Sequence, residues 1–214
     1  MSTAAESRPA LQREWWRRTF AVFQRPGAVF AGLRDDSQEG AEARGEPLTA
    51  IVILAGIAAV LSTSLAGRLL DQPEFDGVDI AVWSFLGGAV QGLLGFWVGG
   101  LLLLFGIRAL GGSSTFRQAR HVVGFAAAPV ALSLILVWPV RLAVYGWDLF
   151  RAGGEDHGAG DMFFEGLVVV MFAWMLALVV VGIRGLTEWT WARSAAAFGI
   201  AAVLPVLVVL LSLL

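Results

Sequence analysis

The sequence predicts an all-α integral membrane protein, with five transmembrane helices behind an N-terminal interfacial amphipathic helix. Three observations carry that prediction. Residues 47–67, 80–107, 122–140, 166–183 and 194–214 are apolar stretches, each close to the roughly 20 helical residues that cross a hydrocarbon core about 30 Å thick. Hydrophobic residues make up 57% of the chain and the charges gather between the stretches, which excludes an ordinary soluble core. The arginines also alternate in density from one connection to the next.

That alternation sets an orientation. Arg8, Arg13, Arg17, Arg18, Arg25, Arg34 and Arg44 precede the first span, Arg108, Arg117 and Arg120 follow the second, and Arg184 and Arg193 follow the fourth. The other connections hold only Arg68, then Arg141 and Arg151, beside acidic residues such as Asp71, Asp76 and Asp79. Basic loops stay in the cytoplasm, so the N-terminus is expected inside and, after five crossings, the C-terminus outside a plasma membrane. Residues 1–46 lack a continuous apolar run of the signal-peptide kind, and the first span is expected to direct insertion. All fifteen basic residues are arginine, a bias that coding composition could produce and that hints at a bacterial host. With no cysteine, disulfides, thiolate metal sites and cysteine nucleophiles are excluded.

Two segments are expected: a cytoplasmic N-terminal segment, 1–46, and a five-span membrane domain, 47–214. Residues 1–10 are small and polar and are expected to be disordered. From about 11 to 24 the pattern is helical, with Trp16, Phe20 and Phe23 on one stripe and Arg13, Arg17 and Arg18 on its flanks. Such a helix either lies in the lipid interface or packs on its own protein, and both readings stand. Arg25-Pro26-Gly27 ends it, a short apolar turn follows, and 34–46 reads as a charged linker.

The second span carries Gly88, Gly92, Gly95 and Gly99 on one helical face. Small residues let helix backbones approach in lipid, so the stripe points to packing within the chain or to a homodimer. Gln91, beside it at mid-membrane depth, is expected to face protein rather than lipid. Ser114 or Thr115 can cap the third helix, which Pro129 and Pro139 should interrupt. His121 is expected near the membrane surface, with His157 on the opposite side and no second imidazole to complete a metal site. Arg141 falls near the outer interface, where it can snorkel or form an ion pair with Asp148, Asp161 or Glu165 that ties the outer ends of spans three and four together, the reading preferred here over a translocation site. Trp138, Trp147, Trp189 and Trp191 fall at predicted boundaries, where indole rings anchor.

No reaction motif stands in the sequence. Without lysine no Walker-type phosphate loop exists, paired carboxylates such as Asp35-Asp36 and Glu155-Asp156 lie in hydrophilic connections, and no acid sits at mid-span to relay protons. The expectation is a non-enzymatic chain with no catalytic, cofactor or metal site. Its expected partners are membrane lipids, a second copy or other membrane proteins, and not nucleic acid.

The run Val22 to Phe30, with Pro26 at its centre, and Glu46-Pro47-Leu48 at the mouth of the first span resemble the start of a Yip1-family domain, particularly its bacterial members. Gly111 to Arg117, with Phe116 and Arg117, then Gly124-Phe125 and Pro129, are similar to that family's glycine-rich loop, short Phe-Arg element and proline-bearing span. The resemblance runs from about Phe20 to the end. It implies five spans with a cytoplasmic N-terminus and a scaffold, adaptor or membrane-organising role, with a transporter or permease subunit as the competing class. The Asp-Leu-Tyr-Gly-Pro element of eukaryotic members is missing, so their binding of Rab-type GTPases is not carried over.

Overall fold

A computed structural model describes residues 3–153 and 159–212, and among them it contains helices and turns but no strand. The first helix, α1, is Thr3–Gln24. It takes in residues 3–10, expected to be disordered, because Ala4, Ala5 and Glu6 are strong helix formers. Pro26 starts the short α2, Pro26–Ala31, where its missing N–H costs nothing.

Helix α3 is Gln38–Leu61 and starts earlier than 47. Ser37 explains this: its Oγ accepts the Gly40 N–H at 3.1 Å, and its own N–H donates to Asp35 Oδ1 at 3.0 Å. This N-cap turns the expected linker into the first turns of the span, with Pro47 inside the helix. At the other end the Ser62 and Thr63 hydroxyls donate to the Ala58 and Val60 carbonyls. The helix therefore stops at Leu61 rather than 67, and a 3-10 turn, Ala66–Asp71, follows.

Helix α4, Gly77–Ala109, has 33 residues, about 50 Å of helix, so it tilts or projects beyond a core of about 30 Å. Asp76 caps it through the Val78 and Asp79 N–H groups, and Asp79 returns a bond to the Asp76 N–H. The third span is three helices: α5 Phe116–Ala126, α6 Ala128–Leu136 and α7 Trp138–Tyr145. The breaks at Ala127 and Val137 each precede a proline, whose ring and missing donor stop the preceding helix. Thr115 and Gln118 exchange backbone and side-chain bonds at the start of α5, a reciprocal cap. Helices α8, Ala159–Thr187, and α9, Trp191–Ser212, complete the chain. Gln38–Leu61, Gly77–Ala109, Phe116–Phe150 and Gly160–Thr187 are each long and apolar enough to cross a membrane, and Trp191–Leu207 is a shorter apolar helix.

The residues cluster into two compact units. The first comprises Met1–Thr49, Phe96–Ala126 and Leu176–Leu214; the second comprises Ala50–Gly95 and Ala127–Met175. In the second unit α3 and α4 meet backbone to backbone. A Cβ on Gly56 would overlap the Gly88 carbonyl oxygen, and one on Gly88 would lie 2.5 Å from the Ile57 Cα; Gly92 faces the Val52 carbonyl. The rest of the stripe behaves differently. Gly95 has no atom within 4 Å of the Cβ position, and in the first unit Gly100, more than Gly99, takes the close approach, 2.7 Å from the Arg120 Cα. Gln91, expected to face protein, is exposed, because the turn that aims Gly88 and Gly92 at α3 carries position 91 about 100° away.

Candidate functional site

All but one of the positions that carry the family motifs fall in the first unit, which is built around the turn 32–36. Arg44, on the first turns of α3, is 1% exposed. Its guanidinium donates to the carbonyls of Gly32 at 3.3 Å and Asp35 at 2.8 Å, and it lies 5.1 Å from the Trp15 ring centroid. Arg18 sits over the same ring at 4.6 Å, and Trp15 stacks on Phe125 of α5 with centroids 5.5 Å apart. Trp15 and Val22 are both buried, so one face of α1 is packed on its own protein.

The turn is gripped from α5 as well. Arg117 Nε donates to Asp36 Oδ1 at 2.6 Å and its Nη2 to the Asp36 carbonyl at 2.7 Å, while the Thr115 hydroxyl donates to Asp36 Oδ2 at 2.9 Å. Gln118 Nε2 reaches the Leu33 and Arg34 carbonyls. Arg34 donates to the Gly185 carbonyl at 2.9 Å, at the end of α8, and pairs with Glu188. Phe30 seats on α8 where Gly182 and Gly185 leave room for its ring and Cβ. Partial burial works against ionisation of Asp36, but the hydrogen bonds from Arg117 and Thr115 outweigh it and hold the carboxyl below its usual range. Asp35 is lowered too, chiefly by the Ser37 amide and then its hydroxyl.

Beside this turn, Gly124 accommodates Leu48 and Phe96. His121, expected near the membrane surface, is 5% exposed and packs against Phe96 at 6.4 Å. Arg120 covers Trp97 at 4.2 Å and Phe116 at 5.7 Å. Pro26, Pro47, Phe116, Arg117, Gly124 and Phe125 thus all fall in this unit, and Pro129 belongs to the second. The carboxylates of Asp35 and Asp36 are taken up by the Ser37 amide, the Thr115 hydroxyl and Arg117, and the guanidiniums of Arg34, Arg44 and Arg117 by carboxylates or carbonyls. Among the described residues no group of three or more His, Asp or Glu is placed to hold a metal ion.

The outer face of α1 is different. Trp16 is 39% and Phe20 72% exposed, and Arg13 and Arg17 are exposed beside them. One face of α1 thus packs on its own protein, as the second of the two sequence readings has it, and the other is exposed. In the second unit Arg141 pairs with Asp161, not with Glu165; Glu165 is exposed and lines one polar cavity with both of them. Trp138, expected as a lipid anchor, is buried, with the Arg141 guanidinium over its ring at 5.4 Å. His157, Glu155 and Asp156 lie outside the described residues.

Sequence reasoning missed the roles of Trp15, Arg44 and Asp36. Asp35-Asp36-Ser37 ahead of a helical segment is a legible capping signal, but nothing local marks Arg117, about eighty residues away, as the partner of Asp36.

Several long apolar helices and a polar hub at the ends of some of them define the chain as a multi-pass α-helical membrane protein. Within that class, the Yip1 domain matches residues 20–214, and the chain belongs to the Yip1 family. No match was found among curated proteins or among solved structures.

Proposed function

We propose that this Yip1-family protein is a non-enzymatic membrane-organising adaptor that holds α1 rigidly at the membrane surface and offers the helix's outer face to a partner. The observation that carries the reading is the two-sidedness of α1. Trp15 and Val22 fix it to the first unit, and Trp16 reaches Glu46 of the same unit through its indole N–H at 3.5 Å, whereas Phe20 is exposed with Arg17 exposed beside it. An aromatic and basic face of this kind suits an anionic membrane surface and a membrane-protein partner seated on it. The arginine distribution supports a cytoplasmic N-terminus in a plasma membrane; reporter fusions at positions 36 and 153 should then report opposite sides.

Reconstitution separates the adaptor from a transporter. Purified protein alone in liposomes is expected to move neither labelled lipid nor small solutes, and specific flux would overturn the adaptor reading. In cells, a photo-crosslinker at position 20 should give a discrete protein adduct that a crosslinker at position 15 does not. Identical adduct patterns from the two positions would count against a partner on the outer face.

A further inference from the structure

We propose that the second unit binds one anionic phospholipid, with its phosphate in a polar cavity at Arg68 and Arg151 and an acyl chain in the apolar groove beside Ala81. Two cavities of matching size carry this. The polar one, about 450 Å³, is lined by Arg68, Arg141, Arg151, Asp161 and Glu165 among others. The apolar one, about 460 Å³, runs along α4 from Gly77 to Phe85 with Leu134 and Leu142 on its other side, about 12 Å of helix. Leu61 and Trp138 line both, so the polar and the apolar cavity adjoin, the arrangement that a charged head with a hydrocarbon tail requires.

Three arginines line the polar cavity against two acids, Asp161 and the exposed Glu165, a balance that favours an anion. Arg141 is engaged with Asp161, and Asp71 is turned to the Ala152 N–H at 2.9 Å. Arg151 has only a loose, exposed approach to Asp148 at 3.8 Å. Among the described residues the Arg68 guanidinium has no acidic partner within 4 Å. The Ser62 and Thr63 hydroxyls spend their protons on backbone carbonyls, which leaves arginine as the main donor. A guanidinium matches phosphate oxygens in pairs. Because the polar cavity opens beside the turns that end α3 and α7, the phosphate would sit where headgroups lie, with its chain entering the groove.

The test is a titration of the purified full-length chain in a neutral detergent, read by native mass spectrometry with dioleoylphosphatidylglycerol, dioleoylphosphatidylcholine and inorganic phosphate as probes. One phosphatidylglycerol is expected to bind at least tenfold more tightly than phosphatidylcholine. Arg68→Ala should abolish most of that preference, Arg68→Lys should keep part of it, and Ala81→Trp, which fills the groove, should weaken the lipid but not inorganic phosphate. Equal binding of the two lipids by the unaltered chain would overturn the proposal in favour of non-specific lipid contact, without reliance on any variant. Full affinity for inorganic phosphate, with lipid binding insensitive to Ala81→Trp, would overturn it in favour of a soluble anion.

Discussion

Alanine at Gly56 should loosen the contact between α3 and α4, whereas alanine at Gly95 on the same α4 stripe should not. At Gly56 the new methyl would lie 2.7 Å from the Gly92 nitrogen and 2.8 Å from its Cα, with the Gly88 carbonyl oxygen closer still. These are backbone atoms, so no side chain can swing aside. Ordinary contact begins at 3.4 Å, so the Gly92 atoms alone demand a separation of about 0.7 Å and the carbonyl oxygen demands more, which forfeits at least a quarter to a half of each dispersion contact along the seam. Overpacking of this kind costs about 1–3 kcal/mol, against which alanine returns up to about 1 kcal/mol of helix propensity. The net expectation for Gly56→Ala is a loss of about 1–2 kcal/mol, near a tenfold shift in the unfolding equilibrium. Gly95→Ala meets open space and should gain about 0.5–1 kcal/mol. Reversible unfolding in mild detergent, run on both variants side by side, measures the difference. Parental or higher stability for Gly56→Ala, or an equal loss at Gly95, would refute the close-packed seam.

Arg117→Ala should cost about 1–2 kcal/mol by removing two charge-assisted bonds to Asp36, seen as faster protease cleavage in residues 32–37 with the spans intact. Because the folded carboxyl of Asp36 titrates below its ordinary 3.8, its contribution is complete above that value and is lost as pH falls through the lower folded one. The same cleavage should therefore accelerate below about pH 4 in the parent and show less pH dependence in Asp36→Asn. Trp15→Ala should cost about 3–5 kcal/mol as a buried aromatic truncation and release α1 to protease, whereas Phe20→Ala, on the exposed face, should leave α1 protected. Gly146, at φ +60 and ψ −137, holds a conformation that suits glycine, and Gly146→Ala should destabilise the second unit by about 1–3 kcal/mol, read as a lowered melting temperature.

What the sequence made legible were the features whose cause is local. The apolar stretches, the interruptions at Pro129 and Pro139, the cap at Thr115 and the family motifs all follow from residues close together in the chain. Boundaries drifted where side chains outside the apolar run decided them, as when Ser37 started α3 early and Ser62 with Thr63 ended it early. Register on a helix face was the other source of error. Gly88 and Gly92 do face a helix, but Gly95 does not, and Gln91 is turned outward; a stripe in sequence says which residues share a face and not how far along it a neighbour extends. The hub at residues 32–36 lay beyond reach because its partners come from α3, α5 and α8. Asp36, a solvated loop acid by default, is bound to Arg117, and Arg141 chose Asp161 over Glu165.

The all-arginine composition, readable in the sequence as a coding bias, also has a physical use in this fold. Arg18 and Arg44 lie over Trp15, Arg120 over Trp97, Arg141 over Trp138, Arg184 over Trp191 and Arg193 over Trp189. A planar guanidinium stacks on an indole while its edge still donates to a carbonyl, as Arg44 does to Gly32 and Asp35 and Arg193 to Leu110. An ammonium of equal charge lacks that geometry and is more strongly hydrated. Lysine would preserve the positive charge that biases topology and lose the ring stacking that joins helix ends. Orientation and cohesion are thus two separate demands on the same side chains, and arginine is the basic residue that meets both.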